Sequence, residues 1–476
     1  MGIQFGTDGW RGIIADDFTI DNVRVCVQAI ATYLGAHNGP ARGLVVGHDT
    51  RFAAERFARA AAEVLAANSI PVHLCRDATP TPIVSFSIKQ LVTAGAVIIT
   101  ASHNPADYNG VKFRPDYAGA ASDEVLAEIQ ANITRVEAGD IPVQRVDLSA
   151  AAQSGLVHTF DPWPDYFRNV ASLVHMDQIR ESSLRVVIDP MYGAGMGCFP
   201  RIFASSRVQV EEIHAERNPA FPHIRAPEPV PENLAALRQA VVETQADLGL
   251  ANDGDADRLA LVDERGRIVD NFEVYPLLLD YLLSTRERRG TVVKTVATSS
   301  LVDRVAERFA VPVRMTGVGF KHIAPAMLET DALMGGEESG GYAFGEHLPE
   351  RDGILAGLLV LDMLAHSRRP LSELLAGMRV EFGTHHYQRQ DWPFEAALQA
   401  QVRDAFRKVR PKRLAGLQVV NTWTTDGLRF DVEDGSWLLL RLSGTEPLIR
   451  ICAESRSEGS TQTLISEGLR LLGLDS

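Results

Sequence analysis

Few cysteines and no long apolar run mark this chain of 476 residues. The four cysteines, at 26, 75, 198 and 452, lie far apart and form no C-x-x-C pair. That argues against a disulfide framework and suits packing roles in a reducing compartment. No apolar stretch approaches the roughly 18 residues of a membrane span, and the first residues lack a basic-then-apolar signal pattern. The expectation is a cytoplasmic protein with no membrane partner. Positive charge is in deficit: 47 Lys and Arg face 61 Asp and Glu, for a net charge of −14. This balance disfavours nucleic acid or an anionic membrane as the main partner, and an anionic substrate would need local basic pockets. Familiar catalytic signatures are missing as well. There is no P-loop, no G-x-S-x-G elbow, no H-E-x-x-H and no Cys/His grouping, which disfavours a P-loop kinase, an α/β-hydrolase and a zinc site. The glycines at 193, 195 and 197 do not fit the G-x-G-x-x-G spacing of a dinucleotide loop.

What is present is an ordinary globular composition, 45% apolar and 23% charged, with no low-complexity tract. At roughly 150 residues per domain the length implies about three domains and allows four. Short β-branched runs alternate with helical patterns. Leu44-Val45-Val46-Gly47 precedes a helix from about Phe52, and Ala96-Val97-Ile98-Ile99 follows one from about Pro82, with Thr81 as its expected N-cap. Similar units begin at Leu184 and Gly290, so the chain reads as repeated βαβ units. Boundaries are expected near 150 to 165, near 265 and near 380. Beyond the last, a polar stretch "EFGTHHYQRQ" leads to a helix in "FEAALQAQVRDAFRKV" and to strands in "WLLLRLS" and "LIRICAE", a mixed segment unlike the others.

Six segments carry candidate chemistry. In "DLGLANDGDADRLALVDE" two strands flank a turn that brings Asp253, Asp255 and Asp257 together beside Arg258. Three carboxylates at alternate positions repel one another unless a cation joins them, and Mg²⁺ prefers oxygen ligands; a solvated acidic turn is the plain alternative. In "TASHNP" Ser102 ends a buried strand, where loops of an α/β sheet open into the ligand crevice, so it is a candidate nucleophile with His103 next to it. Asn109-Gly110 reads as a turn, and Lys112 follows on a strand, able to place a cation by a phosphate or to pass a proton. "LMGGEESGGYAF" offers Glu337 and Ser339 between glycines for ligand hydroxyls. "RLSGTEPLIR" frames Gly444 with Arg441, Ser443, Thr445 and Arg450, a set suited to a phosphate. "FGTDGWRGI" adds Thr7, Asp8 and Arg11, and "GVGFKH" adds Lys321 as a further substrate contact.

Taken in order, "FGTDGWRG", "TASHNP", "DGDADR", "GEESGG" and "RLSGTEP" resemble the α-D-phosphohexomutase family of phosphoglucomutase and phosphomannomutase enzymes, along nearly the whole chain. The resemblance implies an α/β protein of four domains around a central cleft. Three would be similar α/β domains with mixed sheets, and the last a TATA-box-binding-protein-like α+β domain. The expected division is 1–153 with the phosphoserine loop, 154–266 with the metal loop, 267–379 with the sugar loop and 380–476 with the phosphate loop. It further implies that Ser102 carries a phosphoryl group and joins Asp253, Asp255 and Asp257 on Mg²⁺, with Arg258 near that phosphate and Arg11 supporting the region. His103 and Lys112 both stand as candidates for acid/base work. Glu337, Ser339 and Lys321 would meet the sugar, and Arg441, Ser443, Gly444, Thr445 and Arg450 its distal phosphate. The reaction implied converts hexose 1-phosphate to hexose 6-phosphate through a hexose 1,6-bisphosphate that turns round in the cleft. Gly341 departs from the histidine of several mannose- or glucosamine-type members, so glucose is favoured, with mannose second. A phosphoglucosamine or phosphomannose-specific mutase, a metal-dependent sugar phosphatase and a silent phosphosugar-binding protein are the alternatives. The resemblance leaves the oligomeric state unknown.

Overall fold

Leu44–His48 and Gly95–Ile99 are buried along their whole lengths, as expected of parallel strands covered on both faces. In the computed structural model, which describes residues 2–6, 8–37, 39–395, 399–442 and 448–474, they are neighbours in parallel register, Val45 opposite Ala96. The first sheet has six strands in the spatial order Trp10–Ile13, Tyr108–Pro115, Gly95–Ile99, Leu44–His48, Val72–Cys75 and Val157–Phe160. Tyr108–Pro115 runs antiparallel to Gly95–Ile99, so the loop between them, which holds Ser102, returns along the same sheet.

The second sheet has five strands. Leu248–Asn252 and Leu259–Asp263 form an antiparallel pair in it, Leu259 opposite Asn252, and the expected Asp-rich turn joins them. In the third sheet Val292–Thr295 lies between Val313–Thr316 and Met334–Gly336, both parallel to it, with Tyr342–Phe344 at the edge. The C-terminal sheet has six antiparallel strands, led by His386–Pro393 at one edge, and Glu458–Leu471 packs on it. Three mixed α/β sheets and one antiparallel α+β sheet are therefore present, as expected. Among the described residues no helix is long and apolar enough to cross a membrane.

The sheets do not stop at the sequence-based boundaries. Val157–Phe160 pairs with Val72–Cys75, placing it in the first sheet although it follows residue 153. Ile268–Val269 pairs with Leu259–Asp263, so the second sheet runs past 266. The helix Gly353–Ser367 is apolar nearly all round, and it is buried between the second sheet and the helix Met176–Glu181. One buried apolar cluster runs from Val45 and Ile98 through Val186 and Leu250 to Val292 and Met334, so the first three units share a core.

Two local expectations fail, and one strand was not foreseen. The helix after Pro80 begins at Thr81 without a side-chain cap, because the Thr81 hydroxyl donates to Asp255 instead. Asn109 and Gly110 lie inside the strand Tyr108–Pro115, where the Asn109 side chain accepts from the Gly110 N–H. The polar stretch after 380 contains the strand His386–Pro393. At a sheet edge its outward residues remain in water, which explains the missing apolar signal.

Candidate active site

Ser102 stands at the C-terminal end of Gly95–Ile99 in a left-handed backbone conformation, φ 50°. A non-glycine residue adopts this only when its surroundings impose it, and such positions cluster at functional sites. Here the cause is visible. The Ser102 N–H donates to Thr100 Oγ1 at 2.8 Å, and Thr100 in turn donates to Asp49 Oδ2 at 2.6 Å. Beneath the loop the wholly buried Arg51 donates to the carbonyls of Ser102, Asn104, Pro105 and Tyr108 at 2.6 to 3.0 Å. Arg51 follows the strand Leu44–His48, so a rigid element of the same sheet holds the loop.

The Asp-rich turn meets this loop from the second sheet. Ser102 Oγ donates to Asp253 Oδ2 at 2.8 Å and lies 3.1 Å from His103 Nδ1, so neighbouring serine and histidine side chains do touch. A Cβ on Gly254 would stand 2.5 Å from the Ser102 carbonyl oxygen; only glycine lets the two backbones approach. Asp253, Asp255 and Asp257 are all buried and can each offer one oxygen within 4.8 Å of the others. Asp255 Oδ1 and Asp257 Oδ1 have no hydrogen-bond donor in the structure. Burial and the repulsion of Asp257 and Asp255 push Asp253 well above the ordinary carboxylate range. Buried oxygens without donors in a mutually repelling triad fit a divalent cation.

Cations surround the triad. Lys112 Nζ is 2.8 Å from Asp255 Oδ2, 3.0 Å from Asp8 Oδ2 and 3.5 Å from Asp257 Oδ2. Burial pulls the Lys112 ammonium down, but Asp255, Asp8 and Asp257 outweigh it and leave the group raised. His103 behaves oppositely: burial, reinforced by Arg258 and Arg11, holds its imidazole far below the usual range. Arg258 Nη1 pairs with Glu228 at 3.0 Å, and an Arg11 guanidinium nitrogen donates to Asn104 Oδ1. A cavity of about 480 Å³ opens here, with Arg11, Asn104, Arg258, Lys321, Glu337 and Arg351 in its wall. Glu337 accepts from Ser339 Oγ at 2.7 Å, and Lys321 reaches Asp123 at 2.8 Å.

Four models of the phosphoglucomutase/phosphomannomutase family match in order: α/β/α domain I at residues 2–140, domain II at 164–266, domain III at 273–381 and the C-terminal domain at 397–467. The chain is 32% identical over 480 residues to the phosphoglucomutase/phosphomannomutase of Thermococcus kodakarensis, covering 99% of both. The chain belongs to this family, the α-D-phosphohexomutases. It is also 29% identical to a phosphoglucosamine/phosphogalactosamine mutase of Sulfurisphaera tokodaii, over 98% of each chain. A solved structure of a phosphomannomutase-like protein from Thermus thermophilus superposes with a TM-score of 0.84 at 33% identity, covering 99% of each chain. The protein is thus a phosphohexomutase, an isomerase of hexose phosphates, in a Mg²⁺-dependent family whose acidic triad it retains.

The phosphohexomutase cleft brings Ser102, His103, Lys112, the three aspartates, Arg258, Arg11, Glu337, Ser339 and Lys321 to one region. Arg441 and Arg450 face each other on adjacent strands of the C-terminal sheet, paired with Asp426 at 2.8 Å and Asp391 at 3.6 Å, and are not among the residues lining this cavity. Thr7, Ser443, Gly444 and Thr445 lie outside the described residues. Sequence reasoning missed Arg51, Arg114 and Arg351, named Asp8 without a role, and read Thr81 only as a helix cap. Asp8 receives Lys112, Arg114 at 2.8 Å and Arg351 at 3.2 Å, and Arg114 also pairs with the buried Glu350. A signal existed in two places: "HDTR" puts polar residues straight after a buried strand, and "PERDG" gathers three charges before an apolar helix.

Proposed function

We propose that this phosphohexomutase interconverts glucose 1-phosphate and glucose 6-phosphate through a phosphoryl group on Ser102 and a glucose 1,6-bisphosphate intermediate, with mannose phosphates as a second substrate. The observation that carries the reading is Ser102 itself, held in a strained loop with its Oγ 2.8 Å from a buried three-carboxylate cluster whose free oxygens fit Mg²⁺. Asp253, Asp255 and Asp257 would hold the ion, which when bound supplies positive charge against the phosphoryl oxygens.

The chain's own residues would do the rest. Arg258, Arg11 and Lys112 put fixed positive charge round the transferring group, where positioning and neutralisation carry most of the catalysis. His103, whose Nδ1 lies 3.1 Å from Ser102 Oγ, is placed to take the proton of the attacking sugar hydroxyl. Lys112, kept as an ammonium by three carboxylates, suits a fixed cation. Phosphorus moves from Ser102 to the free hydroxyl, and the bisphosphate turns. Its other phosphate then returns to Ser102, so no net phosphate is consumed. Glu337 and Ser339 would hold sugar hydroxyls in both orientations, with Lys321 beside them, while Arg441, Ser443, Gly444, Thr445 and Arg450 would take the distal phosphate.

Phosphorus NMR tests this. The purified protein with Mg²⁺, glucose 1-phosphate and a trace of glucose 1,6-bisphosphate is expected to form glucose 6-phosphate, and Ser102→Ala is expected to form none. Free phosphate in place of isomer would make the protein a phosphatase. Conversion of glucosamine 6-phosphate or mannose 6-phosphate, but not of glucose phosphates, would move the assignment to those sugars.

A further inference from the structure

At Gly341 the space a side chain would take is already filled. A Cβ at 341 would lie 2.4 Å from Arg351 Cδ and 2.9 Å from its Cγ, distances that no packing tolerates. The segment is also fastened down: the Glu337 N–H donates to the Gly341 carbonyl, and Gly341 bridges in antiparallel fashion to Arg258 of the metal loop. Conformation does not require glycine here. Room for Arg351 does.

Arg351 is only 7% exposed, and it meets carboxylates from several separate segments. Its Nη2 is 2.7 Å from Asp257 Oδ2 and 3.2 Å from Asp8 Oδ2, and its Nη1 is 3.2 Å from Glu337 Oε1. The guanidinium also lies 5.2 Å from the centre of the Phe320 ring. Glu337 Oε1 is therefore engaged by both Arg351 and Ser339, which fixes how the carboxylate presents itself to the cleft. A rigid planar fork can hold two carboxylates in a set mutual geometry, which a single ammonium cannot.

We propose that Arg351 is a positioning residue that joins Glu337 of the sugar loop to Asp257 of the metal loop, in space left by Gly341, so that hexose phosphate binding and divalent cation binding are energetically linked through it. The inference rests on the mutase reading given above. A cation drawing on Asp257 changes the hold of Arg351 on that carboxylate, and with it the hold on Glu337; a sugar that engages Glu337 acts back by the same route. Such linkage is reciprocal by necessity.

The test is a calorimetric titration of Mg²⁺ into metal-stripped full-length protein, with and without hexose phosphates equilibrated beforehand, using glucose, mannose and glucosamine 6-phosphates in turn. For the wild type the Mg²⁺ dissociation constant is expected to differ at least about fivefold between the two conditions, within the usual range for coupled sites. In Arg351→Ala the ratio is expected to fall to within about twofold of unity, and in Arg351→Lys likewise, because charge without the fork does not join the two loops. Gly341→Ala is expected to weaken the coupling when Arg351 is present and to change nothing further in Arg351→Ala. An equal ratio in wild type and Arg351→Ala, full coupling in Arg351→Lys, or additive effects of the Gly341 and Arg351 changes would each overturn the proposal. Melting curves by circular dichroism report whether Arg351→Ala folds; should it not, Gly341→Ala and Arg351→Lys decide the matter. Hexose phosphate binding without coupling overturns this inference alone, whereas binding of none of the three sugars overturns the mutase reading as well.

Discussion

Arg51 shows how one side chain can hold a catalytic loop by its backbone alone. It is fully buried, its charge faces Asp49 at 3.3 Å, and its hydrogen bonds end on four carbonyls of the serine loop. Arg51→Ala takes the buried countercharge from Asp49 and a donor from each of those carbonyls, a loss worth about 3–5 kcal/mol by comparison with other buried pairs broken on one side. Urea unfolding is expected to show that loss. Turnover should fall by about a hundredfold or more even where the fold survives, since small misplacement of a nucleophile has that effect. The cysteines make a contrasting case. All four are buried, and burial pushes the Cys75 thiol up to about 12 and the others upward as well. Thiolate is the reactive form, so a thiol reagent at neutral pH is expected to label none of them in minutes and all four after denaturation. Labelling of the native protein would show that a thiol is reached by solvent.

Where the helix Asn271–Asp280 passes into a π-helical turn, Tyr281–Thr285, Asp280 is raised by burial, and then by Glu381, to about 6. The sign follows directly. Below the ordinary value of 3.8 folded and unfolded chains both hold the proton; from there to about 6 only the folded chain does, and above that the folded carboxylate is ionised against its surroundings. Stability therefore falls as pH rises through that window. Asp280→Asn is expected to stabilise the protein by about 1–2 kcal/mol at pH 7, allowing for partial solvation, and by almost nothing near pH 3.5. Melting temperatures at the two pH values measure the difference, and an equal gain at both would mean that the charge is not the cause. At this same scale the acidic turn was readable in advance, because apolar strands with a polar turn between them have a short-range signature. The edge strand His386–Pro393 was not, since half of its residues face water and mimic a loop.

Across the molecule, the C-terminal sheet is joined to the third sheet through a buried carboxylate. Glu454, 1% exposed, accepts from Ser299 Oγ, from the Ser300 N–H and hydroxyl and from His385. Nearby, Arg429 donates to the Val296 carbonyl at 2.7 Å. Glu454→Ala strands several donors at a contact between two units, at about 1–3 kcal/mol for the unsatisfied groups. Hydrogen exchange is expected to quicken in 383–455 and to stay unchanged in the first sheet; uniform protection would show that the contact does not hold the two together. Metal acts on the whole molecule too. Chelation of divalent ions is expected to lower the melting temperature of the wild type and not that of Asp253→Ala, because a ligand that binds only the folded form stabilises by mass action.

By itself the sequence determined the α/β order, the acidic turn and the serine at a strand end, for these depend on patterns a few residues long. The tertiary structure alone decided which charges face which. Asp8, Lys112, Asp257 and Arg351 are distant in the chain, yet each of the two acids lies within 3.5 Å of both cations. No local propensity encodes such a pairing. It follows from the docking of separate sheets at a cleft, where burial leaves each charge only the partners that the other sheets bring.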